Sequence, residues 1–157
     1  MRNLVIQNLK EKDYKVTSKL IASDAILQKE LGFDEKSSPS AFKVKIDYKE
    51  WNKSHSAEMF CVRLDDKLIG LMTLSRINKE KKSARLGYWI GSQFRGLGYG
   101  SEAFTQMLAH ISQMGITRIY GSINSTNLSS IHLWEKNGGT VIRTNTSNHE
   151  FELKLDC

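Results

Sequence analysis

The stretch QFRGLGYGSEAF, Gln93 to Phe104, holds three of the chain's eleven glycines within five residues. Glycine adopts positive φ angles and lets the backbone approach another group closely, at a cost in conformational entropy. Upstream, Ser83–Ile90 (SARLGYWI) has the composition of a strand, and downstream Ser101–Gln113 carries apolar residues at helical spacing. The stretch is therefore a strand-to-helix turn. Its glycines either shape that turn alone or bring backbone amides to a ligand.

The rest of the chain predicts a mixed α/β fold. The order is a strand, two or three helices, three strands, a helix, a strand, a helix and two strands. Asp65–Asp66 predicts a tight hairpin turn, Asn78–Lys82 (NKEKK) a solvated loop, and the serines around Pro39 the start of a helix reaching about Lys53. Only the strand–helix–strand unit around the glycines calls for parallel pairing. We expect one domain over residues 1–157.

Composition limits the classes of function. No run of residues approaches the roughly 18 apolar residues of a membrane span, and the N-terminus becomes charged too early for a signal peptide. The two cysteines do not form a disulfide pattern, which predicts a cytoplasmic protein, and the scattered histidines and cysteines predict no metal site. The net charge of +6 suits an anionic ligand, or loose attraction to nucleic acid, although no basic helix or stacking platform favours a specific nucleic acid.

Three kinds of phosphate-binding loop can be compared with the glycine stretch. A nucleotide P-loop requires Lys-Ser/Thr after its last glycine, where this chain has Ser101–Glu102. A dinucleotide site requires an acid about 20 residues further on, and Gly115–Asn124 contains none. A coenzyme A pyrophosphate site remains, with amides at the helix start and Arg95 as the anion-binding groups. A turn without a ligand also remains open.

Two blocks of sequence resemble the GNAT superfamily of acetyl-CoA-dependent N-acetyltransferases. Arg95, Gly98 and Gly100 match the Arg/Gln-x-x-Gly-x-Gly/Ala motif of that family, and the surrounding residues are similar to ribosomal-protein N-terminal and spermidine acetyltransferases. The second block, NLSSIHLWEKNGG, matches the family pattern at Asn127, Ser130, Leu133, Lys136 and Gly138. The blocks have the order and separation that the family has. The resemblance implies the GNAT fold, a mixed sheet with a splayed parallel strand pair and flanking helices.

The resemblance also implies where acetyl-CoA binds, as a cosubstrate and without a metal. The pantetheine arm would lie in the split between the two parallel strands and contact the backbone near Trp89 and Ile90. Asn127 would contact the cofactor from the second helix. The pyrophosphate would rest on the loop formed by Arg95, Gly96, Leu97, Gly98, Tyr99 and Gly100.

The catalytic positions depart from the family pattern. Ser122 stands where many relatives have a glutamate base, and Arg85 where the nearer branch often has a glutamate. Trp134 stands where a tyrosine commonly protonates the thiolate, and an indole is more typical of a core or pocket wall. The remaining candidates for catalysis are Ser130, which could bond the cofactor sulfur or carbonyl, and Glu150, which could reach the acceptor amine.

A site without an obvious base favours an amine that loses its proton easily. Holding the reactants together supplies roughly 7–11 kcal/mol, so one missing acid or base does not abolish transfer. Neutralising a lysine-like amine at pH 7 costs roughly 4.6 kcal/mol, against about 1.4 kcal/mol for an α-amine. We therefore expect a small-molecule or peptide α-amine as acceptor in preference to a polyamine.

Three further expectations concern an alternative function, the acceptor cleft and the oligomeric state. Ser122 and Trp134 keep a second function open, a non-catalytic coenzyme A-binding or regulatory module. Phe33, Trp51 and His55 could line the acceptor cleft. The chain is expected to act as a monomer or homodimer, and not to bind a membrane.

Overall fold

Seven strands form one mixed sheet in the order β1-β2-β3-β4-β5-β7-β6. The computed structural model describes residues 2–31, 53 and 57–155, so that Phe33, Trp51 and His55 lie outside it, as does the predicted helix apart from Lys53. The strands are β1 (Leu4–Asn8), β2 (Glu58–Leu64), β3 (Lys67–Asn78), β4 (Ser83–Ile90), β5 (Arg118–Asn124), β6 (Thr140–Thr144) and β7 (Asn148–Lys154). The helices are α1 (Asp13–Ala22), α2 (Ala25–Glu30), α3 (Tyr99–Gln113) and α4 (Leu128–Lys136).

The sheet contains one parallel pair within the described ranges, β4 with β5. Their pairing covers three positions, from Ser83 opposite Arg118 to Arg85 opposite Tyr120. Both strands continue beyond this point, β4 to Ile90 along β3 and β5 to Asn124 along β7, without pairing to each other. The parallel unit and the splayed strand pair are thus confirmed, and the sheet opens into a split at the end of β4 from which the glycine turn leaves.

The hairpin turns follow from local residue chemistry. Asp65 and Asp66 both have positive φ angles, 49° and 70°, which is the backbone of a type I′ turn between β2 and β3. Aspartate tolerates this conformation better than most residues. The predicted tight turn is confirmed, and residues 79–82 form the predicted loop between β3 and β4.

The main core lies between the sheet and the helices α3 and α4. Phe104 and Met107 from α3, Trp134 from α4 and Phe151 from β7 are fully buried there. Trp134 is therefore a core residue, which agrees with the expectation that an indole at this position belongs to the core or a pocket wall. The sheet makes room for it at Gly121, where a Cβ atom would lie 2.4 Å from Trp134 Cζ2. On the opposite face, α1 and α2 cover smaller clusters around Leu71 and Ile21.

No helix in the described ranges has both the length and the apolar character needed to cross a membrane.

Candidate functional site

A cleft of about 930 Å³ opens beside the glycine turn, between the end of β4 and the start of α4. It lies where β4 and β5 separate, so its position follows from the split in the sheet. The structure brings eight of the predicted site residues to its lining: Trp89, Ile90, Arg95, Gly96, Gly98, Gly100, Asn127 and Ser130. Leu97 and Tyr99 belong to the same loop but do not line the cleft, and neither does Glu150.

The glycine turn ends in the free N-terminus of α3. Gly96 and Gly98 have φ angles of 76° and 86°, a conformation that other residues adopt at a cost of about 1–2 kcal/mol. Gly98 is the residue that precedes the helix, and the first helical hydrogen bond runs from Glu102 N to Gly98 O at 3.1 Å. The amides before Glu102 have no partner within the helix, and such groups bind anions.

Gly100 shows that the space in front of this turn is open. Its φ angle is not positive, and a Cβ atom built on it would meet nothing within 4 Å. Neither backbone strain nor packing within the described protein therefore requires glycine at this position. A glycine here is explained if a ligand occupies the space that a methyl group would fill.

Arg95 holds the turn against two other elements. Its Nε donates to the carbonyl of Ile90 at 2.9 Å, and its guanidinium forms two hydrogen bonds to Glu30 on α2, of 3.0 and 2.6 Å. The side chains of Arg95 and Glu30 are 37% and 46% exposed, so the ion pair contributes at most about 1 kcal/mol. An anion in the cleft can therefore compete with Glu30 for the guanidinium.

Asp24 anchors the segment between β4 and the glycine turn. Its carboxylate accepts hydrogen bonds from Ser92 N and Ser92 Oγ, both of 2.7 Å, and from Leu27 N at 3.1 Å. Burial works against its charge, but these hydrogen bonds and the nearby charge of Arg95 outweigh that effect and place the pKa of Asp24 below its usual value. The start of α2 thus fixes the path of the chain into the site.

The end of β4 turns some of its backbone groups toward the split. Gly91 N donates to Ile69 O at 2.8 Å, so the backbone groups of residue 91 face β3. Because this direction alternates along an antiparallel pair, the groups of Trp89 also face β3, whereas those of Tyr88 and Ile90 face the split. Ile90 therefore directs its N–H to the cleft, while its carbonyl accepts from Arg95 Nε. Trp89 lines the cleft with a half-buried side chain.

Asn127 and Ser130 form the start of α4 on the other wall of the cleft. Asn127 precedes the helix, and its Oδ1 accepts from Ser130 N and from Ser129 Oγ, both at 3.3 Å. The Asn-x-x-Ser spacing thus caps the helix, since this side-chain oxygen satisfies an amide of the first turn. Ser130 Oγ also accepts a hydrogen bond of 3.0 Å from the hydroxyl of Tyr88 on β4, a contact that links the two walls.

Glu150 lies on the face of the sheet opposite α3, paired with a cation. Two hydrogen bonds join its carboxylate to the Arg85 guanidinium, of 2.6 and 3.1 Å, and its side chain is 20% exposed. In the β5–β7 register Glu150 stands directly opposite Ser122. A carboxylate is therefore present beside position 122, although its charge is balanced by Arg85. Within the described ranges, no group of three or more histidine, cysteine or acidic residues could hold a metal ion.

A family model described as the acetyltransferase (GNAT) domain matches residues 3–140. The chain is a member of the GNAT acetyltransferase family. The match confirms the resemblance drawn from the two sequence blocks, and with it the GNAT fold and the predicted class of enzyme, an acetyltransferase. It spans the glycine turn, both strands of the split and all of α4.

Known proteins similar to this GNAT chain fall in the expected branch. The ribosomal-protein-serine acetyltransferase of Escherichia coli (strain K12) is 36% identical over 62 residues, which cover 40% of this chain and about a third, 35%, of that protein. RimL, a ribosomal L7/L12 α-N-protein acetyltransferase, superposes with a TM-score of 0.80 at 18% identity, covering 97% of this chain and 90% of RimL. Spermidine N-acetyltransferase from Vibrio cholerae, in complex with CoA and spermine, gives 0.77 at 20% identity, covering 96% and 95%. At such identities the two structures show a shared fold.

The departures from the GNAT pattern now have structural explanations. Trp134, at the usual tyrosine position, is buried in the core against Gly121 and does not line the cleft. Ser122, at the usual glutamate position, has Glu150 across the strand pair. Sequence reasoning missed Tyr88, Glu30 and Asp24, which act on the site through contacts with residues at least 42 positions away in the chain.

Proposed function

We propose that this protein transfers the acetyl group of acetyl-CoA to a primary amine, and that it prefers an α-amine over a polyamine. The acceptor would be the N-terminus of a protein or peptide, or a small amino compound. The observation that carries the proposal is the open glycine turn at the start of α3, which faces a cleft at the split between β4 and β5. That arrangement supports the binding of an anion at the turn, with the rest of the ligand in the cleft beside it.

The chain's own groups suit the parts of acetyl-CoA. The free amides around Gly98 and Gly100 and the guanidinium of Arg95 would hold the pyrophosphate, with charge-assisted hydrogen bonds of about 1.5–3 kcal/mol each. The N–H of Ile90, which faces the split, would donate to a carbonyl group of the pantetheine arm. Asn127, at the opposite wall, would contact the same arm from α4. The cosubstrate supplies the activated acetyl group.

The reaction forms an N–C bond, breaks the C–S bond and moves one proton. The amine must lose a proton as it attacks, and the departing sulfur must gain one. In this proposal Glu150 accepts the amine proton, directly or through a water molecule, and the hydroxyl of Ser130 donates a hydrogen bond to the sulfur. Ordering of the two substrates supplies most of the rate, roughly 7–11 kcal/mol of the barrier.

The acceptor preference rests on the pairing of Glu150 with Arg85. A polyamine carries several positive charges and binds well only where unpaired carboxylates meet them. Here the guanidinium of Arg85 balances the carboxylate nearest position 122, and the net charge of the chain is +6. Structures of an α-N-protein acetyltransferase and of a spermidine N-acetyltransferase share this fold, so the preference is argued from the ion pair and not from the fold.

Thiol release with a panel of amines tests the proposal. We expect turnover with short peptides that have a free N-terminus, and a much lower kcat/KM with spermidine at pH 7. The same peptides with a blocked N-terminus are the matched control and should give no turnover. Calorimetry with coenzyme A separates the alternatives, because binding without turnover on any amine indicates a non-catalytic module. A kcat/KM for spermidine above that of every α-amine would contradict the stated preference.

A further inference from the structure

Tyr88 makes a polar contact that no part of the proposed mechanism has used. Its side chain lines the cleft from β4, and its hydroxyl donates a hydrogen bond of 3.0 Å to Ser130 Oγ on α4. The ring packs edge-on against Phe104, with 5.8 Å between ring centroids. The core thus fixes the ring, while the hydroxyl reaches the residue best placed to contact the sulfur.

The phenol of Tyr88 is a proton donor at neutral pH. Burial raises the pKa of Tyr88, and the hydrogen bond with Ser130 offsets only part of that rise. The indole Nε1 of Trp134 is buried and makes no hydrogen bond within the described part of the chain. An indole N–H cannot act as an acid near neutral pH, so of these two neighbouring groups only the phenol can release a proton.

The direction of this hydrogen bond determines what Ser130 can do. A serine hydroxyl carries one hydrogen, and an oxygen that accepts from Tyr88 directs its own hydrogen to a different acceptor. Ser130 lines the cleft, and no acceptor for its hydroxyl hydrogen is found among residues 2–31, 53 and 57–155. That hydrogen is therefore available to a group bound in the cleft.

We infer that Tyr88 positions Ser130 as a proton donor to the coenzyme A sulfur and resupplies its proton, an inference that rests on the proposed acetyl transfer. As the N–C bond forms and the C–S bond breaks, the sulfur takes the proton of Ser130 Oγ. Ser130 takes the phenol proton of Tyr88, and solvent returns a proton to the phenol. The proton lost by the amine leaves separately, to Glu150 or water. Because it acts through Ser130, Tyr88 is a positioning residue.

Tyr88→Phe tests the inference, because it removes the hydroxyl and keeps the ring against Phe104. We expect kcat to fall about tenfold or more, while the KM for acetyl-CoA and the melting temperature stay near those of the wild type. Ser130→Ala should lower kcat by about 10²-fold. The double variant should be no slower than Ser130→Ala alone, since both substitutions break one relay. Tyr14→Phe is the matched control: Tyr14 is a buried residue of α1 that does not line the cleft, and its variant should keep the wild-type kcat.

The outcomes separate this inference from the proposed function. If the wild type turns over no amine, both are overturned. If the wild type is active and Tyr88→Phe keeps kcat within about twofold, or if the two losses simply multiply in the double variant, only the positioning role is overturned. If Tyr88→Phe does not fold, Ser130→Ala decides, because a wild-type kcat in that variant would also refute the relay.

Discussion

Replacing Gly100 by alanine should stabilise the protein and weaken its binding of coenzyme A. The residue lies in the first turn of α3 without a positive φ angle, and an added Cβ would meet nothing within 4 Å. Alanine there should raise the free energy of unfolding by about 0.5–1 kcal/mol. For a chain of this size that corresponds to a rise of about 1–4 °C in Tm.

The same methyl group would stand where the pyrophosphate is proposed to meet the helix amides. Loss of one charge-assisted hydrogen bond, about 1.5–3 kcal/mol, should raise the Kd for coenzyme A by about 10- to 150-fold. Calorimetry measures the Kd, and a thermal melt of the free protein measures the change in stability. If Gly100 served only the turn, its replacement by alanine would not both raise the stability and weaken the binding of coenzyme A.

A pair of variants at positive φ angles provides the control. Gly98 and Gly115 have φ angles of 86° and 81°, and neither has a heavy atom within 4 Å of an added Cβ, but only Gly98 lines the cleft. Alanine at either position should destabilise the protein by about 1–2 kcal/mol through backbone strain. Only Gly98→Ala should also weaken coenzyme A binding. Unchanged affinity in both Gly100→Ala and Gly98→Ala would refute the assignment of this turn as the pyrophosphate site.

Three further substitutions test the surroundings of the site. Asp24→Asn should lower the free energy of unfolding by about 1.5–3 kcal/mol at neutral pH. The folded protein lowers the pKa of Asp24, so the stabilisation is complete above the unfolded pKa and is lost as the pH falls through the folded pKa. Urea unfolding should therefore show the two proteins converging in acid. Arg85→Gln should raise kcat/KM for spermidine relative to an α-amine peptide, because Glu150 loses its paired cation; an unchanged ratio of the two rates would count against the acceptor argument. Gly121→Ala should destabilise by about 1–3 kcal/mol because its Cβ would lie 2.4 Å from the Trp134 ring, and a double-mutant cycle with Trp134→Phe should show a smaller loss, whereas equal losses would exclude the clash.

The fold was predictable because its evidence is local. Strand β4 has the bounds Ser83–Ile90 that its composition indicates, and the two aspartates at the β2–β3 turn adopt the left-handed backbone that their short side chains tolerate. The glycine turn is local as well, since positive φ at Gly96 and Gly98 constrains the chain regardless of what packs around it. Family motifs added the position of the split.

The polar partners of the site were not predictable, because they depend on tertiary contacts. Arg95 meets Glu30 across 65 positions, and Arg85 meets Glu150 across another 65. No periodicity in a single sequence reports such pairs. The case of Tyr88 is intermediate: alternation along β4 places Tyr88 and Trp89 on opposite faces, but only the pairing register shows whose backbone groups face the split. The roles assigned to Ser130, Glu150 and the loop residues in binding and catalysis stay predictions.

The short β4–β5 pairing has a consequence for the aggregation and stability of the protein as well as for its chemistry. A strand edge that offers free N–H and C=O groups is a template for unwanted association, and most proteins keep such edges short, charged or covered. Here the edge lies inside the molecule, recessed in a cleft where Arg95 already occupies the carbonyl of Ile90. A ligand that pairs there at a hundred times its Kd adds about 2.7 kcal/mol to the free energy of unfolding. The amount of folded protein in a cell is therefore expected to follow the supply of that ligand.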